Sequence, residues 1–366
     1  MTERAGVTER AGMTERRGVT GSGQPPSVSV LALGGTIAST GSGQGVTPTL
    51  TADQLVESVP GLEAVARISA DTFRQVPSPE LTLVDLVALA REVQRRLADG
   101  DSGVVVTQGT NTIEETSFAL DLLVDSNAPV VVTGAMRNPT LPGADGPANL
   151  LAAVSTAASE RARGLGTLVV FADEIYAARF VRKAHTQALS PFQSSPVGPI
   201  GWLAEGEVRI GARPVGRRHL ELGEVSESPP VALITFGAGE EGLLVDAVHR
   251  AGYRGLVVEG TGGGHVTART VPELERLAKL MPVVLASRTA AGEALHRTYM
   301  FTGSEVDLES RGLISAGAMT GARARLLLRM LLAAGAPDAD VRCAFEALGA
   351  TGGPVTLLGG RLLVSD

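Results

Sequence analysis

Gly103-Val104-Val105-Val106-Thr107 runs into Gln108-Gly109-Thr110-Asn111-Thr112 and then into Ile113-Glu114-Glu115-Thr116. A short run of β-branched residues is a strand buried on both faces, and the glycine after it turns the chain toward a helix. Val28-Ser29-Val30-Leu31-Ala32-Leu33 repeats the design and ends in Gly34-Gly35-Thr36-Ile37-Ala38. Two such strands call for a buried parallel sheet with helices on both faces, an α/β fold. Ligands of open sheets bind beyond the carboxyl ends of the strands, where both turns lie. Two threonine hydroxyls delivered to one cleft suggest nucleophilic catalysis, given a base.

At 366 residues the chain exceeds what one core usually supports, so two domains are expected. Hydrophobic residues make up 44% but aromatics only 3%, so the core must be built of Val, Leu, Ile and Ala. Strands at Val28–Leu33, Gly103–Val106, Pro129–Val132 and Thr167–Phe171 alternate with helices at Leu81–Ala98 and Glu114–Val124. This gives a larger N-terminal, mostly parallel domain over 27–212. The charged segment 213–230 ends in Ser226-Glu227-Ser228-Pro229-Pro230 and reads as a linker. Strands at Val231–Thr235, Gly255–Val258 and Val283–Leu285 then open a smaller C-terminal α/β domain over 231–366. Residues 1–26 read as a disordered tail, with MTERAG, VTERAG and MTERRG in succession and no apolar centre of a signal peptide.

The net charge is −7 and the longest basic cluster is Arg217-Arg218-His219, which excludes a nucleic-acid footprint. No apolar run reaches membrane-spanning length, so no membrane partner is expected and the cytoplasm is the expected location. The single cysteine, Cys343, excludes an intramolecular disulfide and reads as a small core residue of a C-terminal helix. The five histidines show no ligand spacing, so neither metal nor other cofactor is expected.

Gly34-Gly35-Thr36 alone is as readily a tight connection as a site, and Gly262-Gly263-Gly264 before His265 is a turn by default. Thr112-Ile113-Glu114-Glu115 has the spacing of a capping box. Lys183, in Phe180-Val181-Arg182-Lys183-Ala184-His185, becomes a base only if burial or nearby positive charge lowers its pKa.

Over residues 28 to 366 the chain resembles the bacterial-type L-asparaginase family. Gly34-Gly35-Thr36-Ile37-Ala38 and Thr107 to Thr116 match its two active-site motifs. Gly134-Ala135-Met136-Arg137, Ala144 to Leu150 and the Lys183 segment match further blocks. The resemblance implies an L-asparagine amidohydrolase acting on a small amino-acid amide. Thr36 would be the nucleophile, Lys183 the base, and Thr110 the hydroxyl that activates water or assists acyl transfer. Backbone N–H groups of the Thr36 and Gly109–Thr110 turns would stabilise the oxyanion. Ser78, Gly109 and Asn111 would bind substrate, and Glu305 would arrive from a neighbouring subunit of a homotetramer, a dimer of dimers.

The chain departs from the family pattern at several positions. Asn111 stands where the family has an aspartate that pairs with the substrate ammonium. Gly45 occupies the place of the loop tyrosine, and Tyr299, close before Glu305, is the candidate to replace that phenol from the partner subunit. Gln108 replaces a histidine, and Pro79 lies beside Ser78. Losing one partner of a buried charge pair costs about 2–5 kcal/mol, so weak asparagine turnover, or an amide lacking a free ammonium, is expected. Two other functions fit the same fold: an amino-acid-binding protein of low activity, and an ammonia-supplying amidotransferase subunit.

Overall fold

The computed structural model describes residues 24–41, 45, 47–216 and 218–349, with the backbone of the strands Val355–Leu358 and Arg361–Val364. The hexad repeat lies outside the described residues. The N-terminal part contains β1 (Ser27–Ala32), β2 (Arg67–Thr72), α1 (Leu83–Ala98), β3 (Gly103–Thr107), α2 (Ile113–Leu123), β4 (Val130–Thr133), α3 (Gly146–Ala157), β5 (Thr167–Phe171), β6 (Glu174–Ala177), β7 (Gly201–Ala204) and β8 (Glu207–Ile210). They form one sheet in the order β8-β7-β6-β5-β4-β3-β1-β2. The five strands from β2 to β5 in that order are parallel, and β6, β7 and β8 extend the edge antiparallel.

All five residues of β3 are buried. Val104 and Val106 pack with α1 and α2, whereas Val105 points to the opposite face with α3. Period-two alternation between two covered faces is why the strand reads as an unbroken aliphatic run. Helix α1 starts with a capping box: Thr82 Oγ1 accepts from Asp85 N at 3.2 Å and Asp85 Oδ2 accepts from Thr82 N at 3.0 Å. The box read into Thr112–Glu115 does not form. Thr112 closes a 3-10 turn, Thr110–Thr112, and its hydroxyl donates instead to the Ser78 carbonyl at 3.0 Å.

The C-terminal part contains β9 (Val231–Thr235), α4 (Leu243–Arg250), β10 (Gly255–Gly260), α5 (Val271–Ala278), β11 (Val283–Ser287), α6 (Glu305–Ser310), β12 (Ile314–Ser315), α7 (Gly321–Ala333) and α8 (Asp338–Gly349). Its sheet is parallel in the order β9-β10-β11-β12. Leu256, Val258 and Leu285 pack with α4 and α5. Val257 and Val284 face α7, which belongs to the same core as α1 and α2. One apolar cluster therefore runs through both parts. Segment 213–230 includes a short strand, His219–Leu220, paired with Thr356 and Leu357, and Leu220 is buried in the shared cluster. Cys343 is half-buried on α8 rather than in the core.

Candidate active site

Strands β1 and β3 are adjacent and parallel, with Ala32 opposite Thr107, so their turns leave the sheet side by side. Gly35 has φ 85°, a conformation that glycine adopts freely. It also has no room for a side chain, because a methyl there would overlap the backbone nitrogen of Gly109. Gly109 has an ordinary φ of −66° but is crowded in turn, since a methyl on it would lie 2.9 Å from Ser78 Oγ. Close approach of these backbones brings Thr36, Ser78, Gly109 and Thr110 to one place. Thr36 and Thr110 each begin a 3-10 turn, so their N–H groups lie outside the intrahelical ladder. Thr36 is half-buried; Ser78 is 3% and Thr110 6% exposed.

Lys183 enters from a two-residue strand, Arg182–Lys183, paired with Phe192–Gln193. The buried Arg323 of α7 donates to the carbonyl of Val181 and so fixes the approach to this strand. Lys183 Nζ lies 2.8 Å from Thr110 Oγ1 and 3.0 Å from Asn111 Oδ1. Burial lowers the pKa of Lys183 below that of an ordinary lysine. The amine, Asn111, Glu115, Glu259 and Arg288 line a cleft of about 680 Å³ between the two parts of the molecule. His185 also lines this cleft, and its Nδ1 accepts from Gln187 N and Ala188 N at 3.0 and 2.8 Å.

The structure also shows what the other sequence blocks do. Asp145 accepts from the N–H groups of Met136 and Arg137 at 2.9 and 2.8 Å, which sets Met136 Sδ 3.6 Å from Thr110 Oγ1. Gln108 is fully buried beneath the turn and donates to the Gly109 carbonyl at 3.2 Å, so it acts on the turn rather than lining the cleft.

Glu305 is fully buried within its own chain. One oxygen accepts from Thr298 N and Tyr299 N at 2.9 and 2.7 Å, and the other meets His265 Nε2 at 3.0 Å. The carboxylate thus holds the 298–299 segment in place, and is not beside Lys183 of the same chain. The rings of Tyr299 and Phe301 stand edge-on to His265 and stay about half exposed, with Met300 almost fully so. The Gly262–Gly264 turn serves to place His265 there. Gly45 is exposed, with open space where a side chain would project.

The family model "Asparaginase, N-terminal" matches residues 27–216, and the "Glutaminase/Asparaginase C-terminal domain" matches residues 230–345. The chain belongs to the asparaginase family. Among its relatives, the probable L-asparaginase of Deinococcus radiodurans is 38% identical over 327 residues, 87% of this chain and 97% of the relative. L-asparaginase 2 of Escherichia coli is 32% identical over 319 residues, 84% of this chain and 89% of the relative. A crystal structure of a probable cytoplasmic L-asparaginase from Campylobacter jejuni superposes with a TM-score of 0.80 at 29% identity, covering 88% of this chain and 99% of the other. Another relative, from Haemophilus influenzae, is named as periplasmic, so the relatives divide on compartment. Among the described residues no helix is long and apolar enough to cross a membrane.

Two features of this asparaginase-family site went unread in the sequence. Glu115, in the first turn of α2, is pushed up to about 7 by burial and by neighbouring Glu114, and it lines the cleft. The other is a signal in plain view: Lys183 and Lys279 are the only lysines, and all the rest of the 32 cationic residues are arginine. An amine kept at position 183 is one that arginine cannot replace, since guanidinium does not deprotonate in proteins.

Proposed function

We propose that the chain hydrolyses the side-chain amide of L-asparagine to L-aspartate and ammonia through a covalent ester on Thr36. The reading is carried by the Lys183 Nζ to Thr110 Oγ1 approach of 2.8 Å, in a place where the Gly35 and Gly109 backbones abut. Thr36 Oγ1 attacks the amide carbon, and the carbonyl oxygen becomes an oxyanion that the Thr36 and Thr110 N–H groups can receive. The hydroxyl proton passes to the departing nitrogen, which leaves as ammonia. In the second half Lys183, acting through Thr110, takes a proton from water as that water attacks the ester. As the ester breaks, the departing Thr36 oxygen takes that proton from Lys183 through Thr110, and aspartate leaves. Ser78 and Gly109 contact substrate from the β1–β3 side.

Asn111 favours a second substrate class. Its Oδ1 is taken by Lys183, so Nδ2, a donor, is the end left to the cleft. A donor repels an ammonium, and an amide whose α-nitrogen is acylated avoids that repulsion. The proposed working form is a cytoplasmic homotetramer in which the exposed Tyr299, carried on the segment that Glu305 positions, reaches the site of a second copy.

The test is ammonia release from asparagine, glutamine and N-acylated asparagine, with mass spectrometry of acid-quenched enzyme. Thr36→Ala is expected to abolish both the ester adduct and steady turnover. A Thr36→Ala protein that keeps wild-type turnover overturns the nucleophile assignment.

A further inference from the structure

The amine of Lys183 has two partners, Thr110 Oγ1 and Asn111 Oδ1, and neither carries charge. Ionic groups surround it on every side. Arg182 and His185 flank it, Glu114 and Glu115 come from the first turn of α2, Glu259 from β10, Arg288 from the end of β11, and Arg323 from α7. Yet Glu114 and Glu259 are turned to other partners. Glu114 accepts from Thr320 Oγ1 at 2.7 Å and lies 3.7 Å from Arg323. Glu259 accepts from Thr235 Oγ1 at 2.6 Å and from Gly321 N at 3.2 Å. Glu115 is held toward its neutral form by burial and by Glu114. Among the described residues no carboxylate oxygen lies within ion-pair distance of Lys183.

We propose that Asn111 is a positioning residue that lets Lys183 give up its proton more readily than an acidic neighbour would, by supplying the acceptor the amine needs without supplying a charge. An amine must give up a proton to act as base, and a neighbouring anion opposes that loss. The neutral Oδ1 orients Nζ toward Thr110 in either protonation state. Burial of Lys183 then acts unopposed, and its lowered pKa has desolvation as its cause. A carboxylate at position 111 would be nearly the same shape and would stand about 3 Å from Nζ. An opposite charge that close raises a pKa by ~1–3 units. The inference rests on the proposed base role of Lys183 and adds what sets the pH range of that base.

The chain's two lysines make the test direct. Lys279 is exposed on the surface near Glu275, so Lys279→Arg leaves one side-chain ammonium in the full protein. In that background, the Cε resonance of 13C-labelled lysine is followed against pH for Asn111 and for Asn111→Asp. The titration of Lys183 is expected to move upward by ~1–3 units in the aspartate variant. The acid limb of kcat/KM is expected to move upward with it, whatever happens to the height of the profile. Asn111→Leu removes the acceptor without adding charge, and should lower the rate with no upward movement of either curve. An unmoved Lys183 titration in Asn111→Asp overturns the proposal, as does an upward shift in Asn111→Leu. Because the resonance is read without substrate, a protein that moves as expected but releases no ammonia defeats the proposed function and leaves this inference standing.

Discussion

Glu115 shows how a single side chain can link the cleft to stability. Its carboxyl is raised from an ordinary 4.5 to about 7, first by burial and then by Glu114. The folded protein therefore holds this proton more tightly than the unfolded chain does. The resulting stability is fully present below about pH 4.5 and is lost as pH rises through about 7. Glu115→Gln stays neutral at every pH. Its melting temperature should exceed that of the wild type at about pH 8, and the gap should close on acidification below about pH 4.5. At 1.36 kcal/mol per unit the difference is bounded by ~3.4 kcal/mol. Thermal melts of both proteins across this range check it, and a gap that does not change with pH refutes it. Asn111 works in the opposite manner, by withholding a charge. Both residues sit within five positions of Thr110, so proton affinity in the cleft is set over a short stretch of chain.

Strand β1 and its turn are held to β3 and its turn by backbone packing, and Gly35 is the point of contact. Gly35→Ala meets two obstacles, a φ of 85° and the nitrogen of Gly109. With ψ at −176° this is a region essentially confined to glycine, which costs roughly 1–3 kcal/mol for an L-residue, and overpacking adds ~1–3 kcal/mol. Denaturant titration should show a loss of that combined size, together with loss of ammonia release, because Thr36 is the next residue. Retained activity would mean that the turns tolerate separation. The elements themselves were legible in the sequence. The aliphatic runs of β1, β3 and β5 and the glycines that end them follow from burial on both faces, which composition and periodicity report. The failed cap at Thr112 shows the limit of such reading. Its spacing was right, but Thr112 ends the preceding 3-10 turn with φ −124° and ψ 23° rather than the extended backbone of a cap residue, and its hydroxyl is aimed at the Ser78 carbonyl, 34 residues away. In the same way, no local pattern could show that Glu305 spends both oxygens on Thr298, Tyr299 and His265. Contacts of that kind depend on loops whose paths the sequence does not fix by period or propensity.

The two main sheets each pack one face in a cluster of their own and the other in a cluster that both share. Leu31 and Val106 of the large sheet, Val257 and Val284 of the small one, and Leu327 of α7 belong to one buried cluster. Cooperative units follow contiguous packing. Calorimetry at fixed protein concentration should therefore give one transition with fluorescence and far-ultraviolet circular dichroism coincident. Two resolved transitions would show that α7 is less tightly shared than its burial indicates. The shared interior also determines what becomes of a severed chain. A protease that nicks the exposed stretch around Glu221 to Glu227 would leave each fragment with a bare leucine-lined wall and no water-compatible way to cover it, except by remaining clasped to the other. Cleavage there should yield a complementing pair rather than two free halves.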